Sequence, residues 1–303
     1  MLHYCQVMSK DVSGAIPAKF VLPLNMNKLR GRMLYLPGKK QDILLVYDLR
    51  SNIEKYYELA KNLHRYGSVT LPDLPGFGGM QSFYKIGEKP DLDKLADYLA
   101  TFVRWRFKRR QLIIFGHGFG FAVVTRMLQK YPDISKNVNL LVSLTGYGHK
   151  DDLNISKAKA AMLRSIYFIA SFRVFDLMVR LLFLRKHVLG LVYKSKFIAL
   201  PQPEKNNAIK SEIRLWRNND LRTWACASTA KLALDNCNYT VDLPVWHVWV
   251  ARDPTLHNNL VYQHLKIIYN DVHKVKILRN PNNTNSWNEL VTTQIKTQLR
   301  KTS

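Results

Sequence analysis

The stretch that decides the fold runs from Gln111 to Gly120, QLIIFGHGFG, and continues into FAVVTRMLQKYP. Leu112 to Phe115 is a wholly apolar run. Gly116, Gly118 and Gly120 follow at alternate positions, and Phe121, Val124, Met127 and Leu128 then recur at helical spacing. An apolar run, glycine punctuation and a helical period read as a buried strand, a sharp turn and an amphipathic helix.

The same rhythm extends to both sides. Ile43 to Tyr47 (ILLVY), Ser68 to Leu71 and Asn139 to Leu144 (NLLVSL) are short apolar runs without polar alternation, as expected of strands buried on both faces. Helical spacing is found over about 52–66, with Ser51 placed to cap it, and over about 92–109. Phe20 to Leu24 and Met33 to Leu36 suit an antiparallel hairpin with Gly31 in its turn. Alternating strands and helices predict a mostly parallel central sheet with helices on both faces. From Asp151 to about Val241 only helical patterns occur. A strand follows at Pro244 to Ala251, a helix near Leu260 to Tyr269, a strand at Lys274 to Leu278 and a last helix at about Ser286 to Leu299. The expected organisation is a core of residues 1–150 and 242–303, interrupted by a helical cap over 151–241.

Composition bounds the function class. The 303 residues are 47% hydrophobic, enough for a sizeable core. The 46 Lys and Arg against 22 Asp and Glu leave a net charge of +24. That balance attracts polyanions or anionic lipid, although a general Lys and Arg bias of the source proteome would give the same number. The three cysteines, Cys5, Cys226 and Cys237, have no metal-ligand spacing and suit a reducing compartment. The start of the chain shows no secretory signal pattern. The most apolar region, Ala160 to Leu200, is cut by Arg164, Arg173, Asp176, Arg180, Arg185 and Lys186, so no membrane span is expected. These features predict a cytoplasmic protein, with peripheral attachment to a membrane left open. No metal and no cofactor is implied. A phosphate loop of Walker type is absent, because Gly116 to Gly120 lacks the following Lys-Ser/Thr.

Three motifs together resemble the α/β-hydrolase superfamily. Asp73 to Gly78, DLPGFG, is similar to that family's turn after the fourth strand. Gly116 to Gly120, GHGFG, resembles its Gly-x-Ser-x-Gly nucleophile elbow. Val250 to Pro254, VARDP, resembles the strand end that carries the acidic member of its triad. The resemblance spans about residues 20–300 and implies the α/β-hydrolase fold with an inserted helical cap or lid.

Set beside the machinery that the family uses, the chain departs at several points. The nucleophile position is Gly118, which has no side chain to attack with. The resemblance places the basic His in the loop after the last strand, here Arg279 to Trp287, RNPNNTNSW, and no His follows His273. Asp253 stands at the acid position without a His to orient, free to cap a helix or pair with Arg252 or another cation. Tyr47-Asp48-Leu49 occupies the place of the His-Gly pair that precedes the first oxyanion donor. An inward Asp48 would oppose a developing oxyanion, whereas the second donor, the N–H of Phe119, is independent of side-chain type. Met80 replaces the Ser of the turn. Losses of nucleophile, base and His-Gly together predict a catalytically degenerate hydrolase. It would use the old pocket to bind an apolar or acyl-type small molecule or a partner, through Tyr47, Asp48, Leu49, His117, Phe119 and His149. Two alternatives come from other classes. One is an active esterase or lipase with unconventional residues; the other is a basic protein at an anionic membrane or on a polyanion.

The remaining candidates have plainer readings. His117 beside the turn reads as structural and His247, within a strand, as core. Ser143 and Cys226 lack an elbow context. The run Arg104 to Arg110, RWRFKRR, mixes basic and aromatic residues as nucleic-acid or headgroup binders do, but cations also suit a helix C-terminus, and no nucleic-acid module accompanies it. Most of the basic residues of 151–241, including Lys194 and Lys196, read as the solvated side of a helical subdomain.

Overall fold

The structure, a computed structural model, describes residues 16–277 and residue 299, apart from 50, 109, 180, 182–212 and 252. The loop Arg279 to Trp287, Arg180, Arg185, Lys186, Lys194, Lys196, Arg252 and nearly all of the expected last helix lie outside the described residues.

Eight strands form one sheet: β1 (Val21–Met26), β2 (Leu29–Leu36), β3 (Gln41–Val46), β4 (Gly67–Pro72), β5 (Leu112–His117), β6 (Val138–Leu144), β7 (Val241–Val250) and β8 (Tyr269–Ile277). Their order is β1-β2-β4-β3-β5-β6-β7-β8. The β1-β2 and β2-β4 pairs are antiparallel and every other pair is parallel. The α-helices are α1 (Tyr57–Leu63), α2 (Leu92–Phe107), α3 (Phe119–Lys130), α4 (Pro132–Ser135), α5 (Lys157–Ala170), α6 (Arg173–Met178), α7 (Leu221–Leu232) and α8 (Asn258–Ile268). Between β6 and β7 the described residues are helical apart from short turns and bridges, with a further helical stretch over 213–218. No described helix is long and apolar enough to cross a membrane.

The apolar runs sit where a two-sided burial requires them. Ile43 to Val46, Leu112 to Phe115 and Leu140 to Leu144 are buried throughout. The amphipathic helices bury one stripe each, such as Leu95, Leu99, Phe102 and Val103 of α2. Asp91 caps α2 by accepting from the Lys94 N–H at 2.8 Å.

Three local expectations need correction. The β1-β2 turn is Asn27-Lys28, with φ of 51° and 62°, the left-handed pair that a two-residue hairpin demands. Gly31 lies inside β2 instead, where a Cβ would stand 1.9 Å from the Met80 Sδ. The helix after β3 starts at Tyr57, because residues 53–57 form turns through Tyr56 N–H to Ile53 O and Tyr57 N–H to Glu54 O; Ser51 is buried and does not cap it. His273 stands within β8, its ring 4.5 Å from that of Trp246.

Candidate active site at the glycine elbow

Asp48, Asp73, Gly118 and Asp253 lie within three residues of the C-terminal ends of β3, β4, β5 and β7, and His149 lies in the loop after β6, at the edge where open α/β sheets gather ligands. β5 delivers the chain to Gly118, whose φ of 52° and ψ of −120° turn it abruptly into α3. Gly116 and Gly120 serve close packing. A Cβ at 116 would lie 2.7 Å from the Phe121 Cα, and one at 120 would lie 2.3 Å from the Tyr47 carbonyl oxygen. The Gly118 N–H donates to the Leu144 carbonyl at 3.1 Å. The strained strand–turn–helix geometry of an elbow is therefore present in full.

What fills the elbow is Asp48. Its Oδ1 accepts from the Phe119 backbone N–H at 2.7 Å, the donor that would serve an oxyanion in an acyl-transfer site. A Cβ placed on Gly118 would meet the Asp48 Cγ and Oδ1 at 2.5 Å. One carboxylate thus takes both the position of a side chain at 118 and the hydrogen bond beside it. The α3 N-terminus also favours negative charge there.

The rest of the site is polar and closely held. His117 is buried, and its Nδ1 is hydrogen-bonded to the Tyr56 hydroxyl. Burial lowers the His117 pKa, against the pull of the Asp48 and Asp253 carboxylates. Burial thus holds His117 toward its neutral form, within the field of both carboxylates. Asp253 accepts at Oδ1 from the Thr255 N–H at 2.7 Å and from its hydroxyl at 2.6 Å, so it closes a turn; the expected helix cap is corrected, since α8 starts later with His257 at its cap position.

Two of the expected ligand contacts lie elsewhere. The Tyr47 ring is 2% exposed, and its hydroxyl donates to Asp73 Oδ1 at 2.7 Å. It is a core residue: just beyond the end of β3 its ring turns into the core, whereas the next side chain, Asp48, reaches the elbow. His149 belongs to a second cluster: its Nδ1 accepts from the Asp151 N–H at 3.2 Å, and its ring stacks 4.5 Å from that of His264. Buried Asp152 organises that cluster, accepting from the Gly148 and His149 N–H groups and pairing with His264. Leu49 is half-buried and packs against the core.

The DLPGFG turn carries a structural charge network. Asp73 is fully buried, with Arg32 Nε donating at 2.9 Å and the Tyr47 hydroxyl at 2.7 Å. The Arg32 fork continues to both Glu54 carboxylate oxygens at 2.7 and 3.0 Å. The turn also fastens the helical block to the sheet. Asn219 Oδ1 accepts from the Gly78 N–H at 3.0 Å, the Asp220 N–H donates to Gly76 O at 2.8 Å, and Ser82 meets Thr223 at 2.7 Å. Met80, where the resemblance implies Ser, is buried and accepts from the Tyr98 hydroxyl at 3.9 Å.

The other candidates are absorbed by the fold. Arg104 is bidentate on Asp133 and lies over the Tyr131 ring, Arg106 lies over Tyr35, and Arg110 pairs with Asp42. Cys226 is buried, 3.3 Å from the Tyr84 hydroxyl. Ser143 and His247 are register partners on β6 and β7, both buried, with Oγ and Nδ1 3.0 Å apart.

His247 yields a pH prediction. Burial, aided by Lys274, pushes its pKa down to about 3, whereas an unfolded chain takes up that proton near 6.5. Between these values the unfolded state binds more protons, so this residue costs stability as pH falls from about 6.5 toward 3. Going from pH 7 to pH 5, the parent is expected to lose roughly 2 kcal/mol more than His247→Gln by urea unfolding. Equal losses would contradict it.

No protein-family model and no curated protein matches the sequence. Solved structures do. A candidate lipase from Acinetobacter baumannii is 15% identical with a TM-score of 0.65, covering 100% of this chain and 96% of its own. A candidate epoxide hydrolase from Pseudomonas aeruginosa is 18% identical with a TM-score of 0.64, covering 93% and 96%. A thermophilic esterase from Thermogutta terrifontis is 16% identical with a TM-score of 0.61, covering 93% and 98%. At these identities the likeness is one of architecture: the chain has the α/β-hydrolase fold.

Proposed function

We propose that the chain is a catalytically degenerate protein of α/β-hydrolase fold, in which the helices between β6 and β7 form a cap and the space beneath binds a ligand without cleaving it. The observation that carries this reading is the Asp48 carboxylate on the Phe119 N–H, in the space of a side chain at 118. An anion already held at that donor opposes the negative charge of a tetrahedral intermediate. The absence of any His after His273 adds to it, since a proton shuttle near neutral pH is the ordinary work of an imidazole. The same carboxylate repels anionic ligands and favours a neutral apolar or acyl-type molecule.

Purified protein is expected to give no turnover of short p-nitrophenyl esters and no labelling by a serine-reactive fluorophosphonate. A second reading, an ester hydrolase with unconventional residues, has one observation in its favour: the Tyr56 hydroxyl on the His117 ring, within the field of Asp48 and Asp253. Turnover proportional to protein and abolished by Tyr56→Phe would replace the first reading with the second.

A further inference from the structure

The described residues of α5 and α6 have one docked side and one exposed side. On the docked side Ala170 is buried, the Tyr167 ring packs 5.2 Å from that of Trp224 on α7, and Arg164 donates to the Leu232 carbonyl. On the other, Met162, Phe168, Ile169, Phe172, Val174 and Leu177 are each half exposed or more. Phe168 and Phe172 meet edge to face at 5.1 Å, which joins the two helices into one surface. Scattered exposed apolar residues are ordinary, but a contiguous group with two phenylalanines marks an interaction surface.

We propose that this surface seats on a bilayer containing anionic lipid. Charge chooses the occupant. Lys157, Lys159 and Arg173 are exposed on the same two helices, and Asp176 is the single acidic residue from 157 to 179. An apolar face edged by cations is the pattern of a helix lying in a membrane interface, where insertion and attraction to anionic headgroups act together. A second copy is the competing occupant, and it would have to bring together two chains that each carry +24, which repel. The proposal stands whether or not the elbow is catalytic.

The test is co-sedimentation of the full 303-residue chain with phosphatidylglycerol-containing vesicles and with pure phosphatidylcholine vesicles, at low and high salt. The chain is expected to pellet with the anionic vesicles, to remain in solution with the neutral ones, and to be released as salt screens the attraction. Phe168→Ser with Phe172→Ser removes two side chains that are each half exposed or more and is expected to weaken partitioning by at least about tenfold. Lys157→Glu with Lys159→Glu should weaken it on the anionic vesicles, most at low salt. Failure of the parent to pellet would overturn the proposal, as would undiminished binding by the Phe pair variant, which would place the contact elsewhere. A dimer seen by light scattering in the parent and lost in that variant would assign the surface to a second copy instead.

Discussion

Gly118→Ser is expected to destabilise the protein by about 3–5 kcal/mol and to confer no esterase activity. Position 118 sits at φ 52° and ψ −120°, a region that costs a side-chain-bearing residue on the order of 1–3 kcal/mol. The new Cβ would also stand 2.5 Å from the Asp48 Cγ and Oδ1, so the carboxylate must swing away and give up its 2.7 Å bond to the Phe119 N–H. A hydrogen bond to a charged group contributes about 1.5–3 kcal/mol. The two parts of this cost are separable. Asp48→Gly alone loses the hydrogen bond, and Gly118→Ser on top of it meets no carboxylate and retains only the backbone strain. The double variant should therefore be less destabilised than the sum of the singles, by about 1.5–3 kcal/mol. Urea unfolding of the four proteins measures this directly. Additive costs would show that Asp48 does not fill the space of the missing nucleophile. Activity is expected to stay absent even in the double variant, because a serine at 118 would still have no His beyond residue 273 to take its proton.

The cycle also marks where sequence reading reached and where it stopped. The core strands were legible because burial on both faces leaves an unbroken apolar run, as in Ile43 to Val46 and Leu112 to Phe115. The elbow was legible because its glycines answer to backbone geometry within a few residues. The role of Asp48 was half legible: an acid in place of His-Gly is visible in the sequence. Its docking on an N–H 71 residues away depends on the β3-β5 pairing. Tyr47 and Tyr56 show the limit more sharply. The two neighbours part just beyond β3, Tyr47 into the core and Asp48 to the elbow. Tyr56, which falls within the helical spacing over about 52–66, turned its hydroxyl to His117 from the turn before α1. Gly31 misled for a related reason, because a glycine packed against a neighbouring Met80 side chain looks in sequence like one demanded by a turn.

Asp73 supplies the second large effect, and its sign is unusual for a carboxylate in an ion pair. Complete burial pushes its carboxyl up to about 7, outweighing the Arg32 guanidinium and the Tyr47 hydroxyl, which pull it down. Burial prevails because the partners are unequal: Asp73 is fully enclosed, while the Arg32 side chain is 27% exposed and shares its charge with Glu54. Between the ordinary value of 3.8 and about 7, the folded chain holds a proton that the unfolded chain has released. Stability therefore falls as pH rises across that window, by up to roughly 4 kcal/mol from this group. His247 acts in the opposite sense over much of the same range, so the parent's net pH profile is a poor readout and the difference between variants is the useful one. Asp73→Asn has no titrating proton, so the gap between parent and variant should change by about 1.4 kcal/mol per pH unit from pH 4.5 to 6.5, with the parent favoured at the acid end. A constant gap would mean that Arg32 keeps the carboxylate ionised throughout. Asp73→Ala is the harsher test. It removes the acceptor of the buried Tyr47 hydroxyl and one partner of a buried pair, which costs about 3–5 kcal/mol. It also loosens the turn that Asn219 and Asp220 hold from the other side. Amide exchange at Gly76 and Gly78 should accelerate with it, tying the loss to the junction between the sheet and the helices inserted into it.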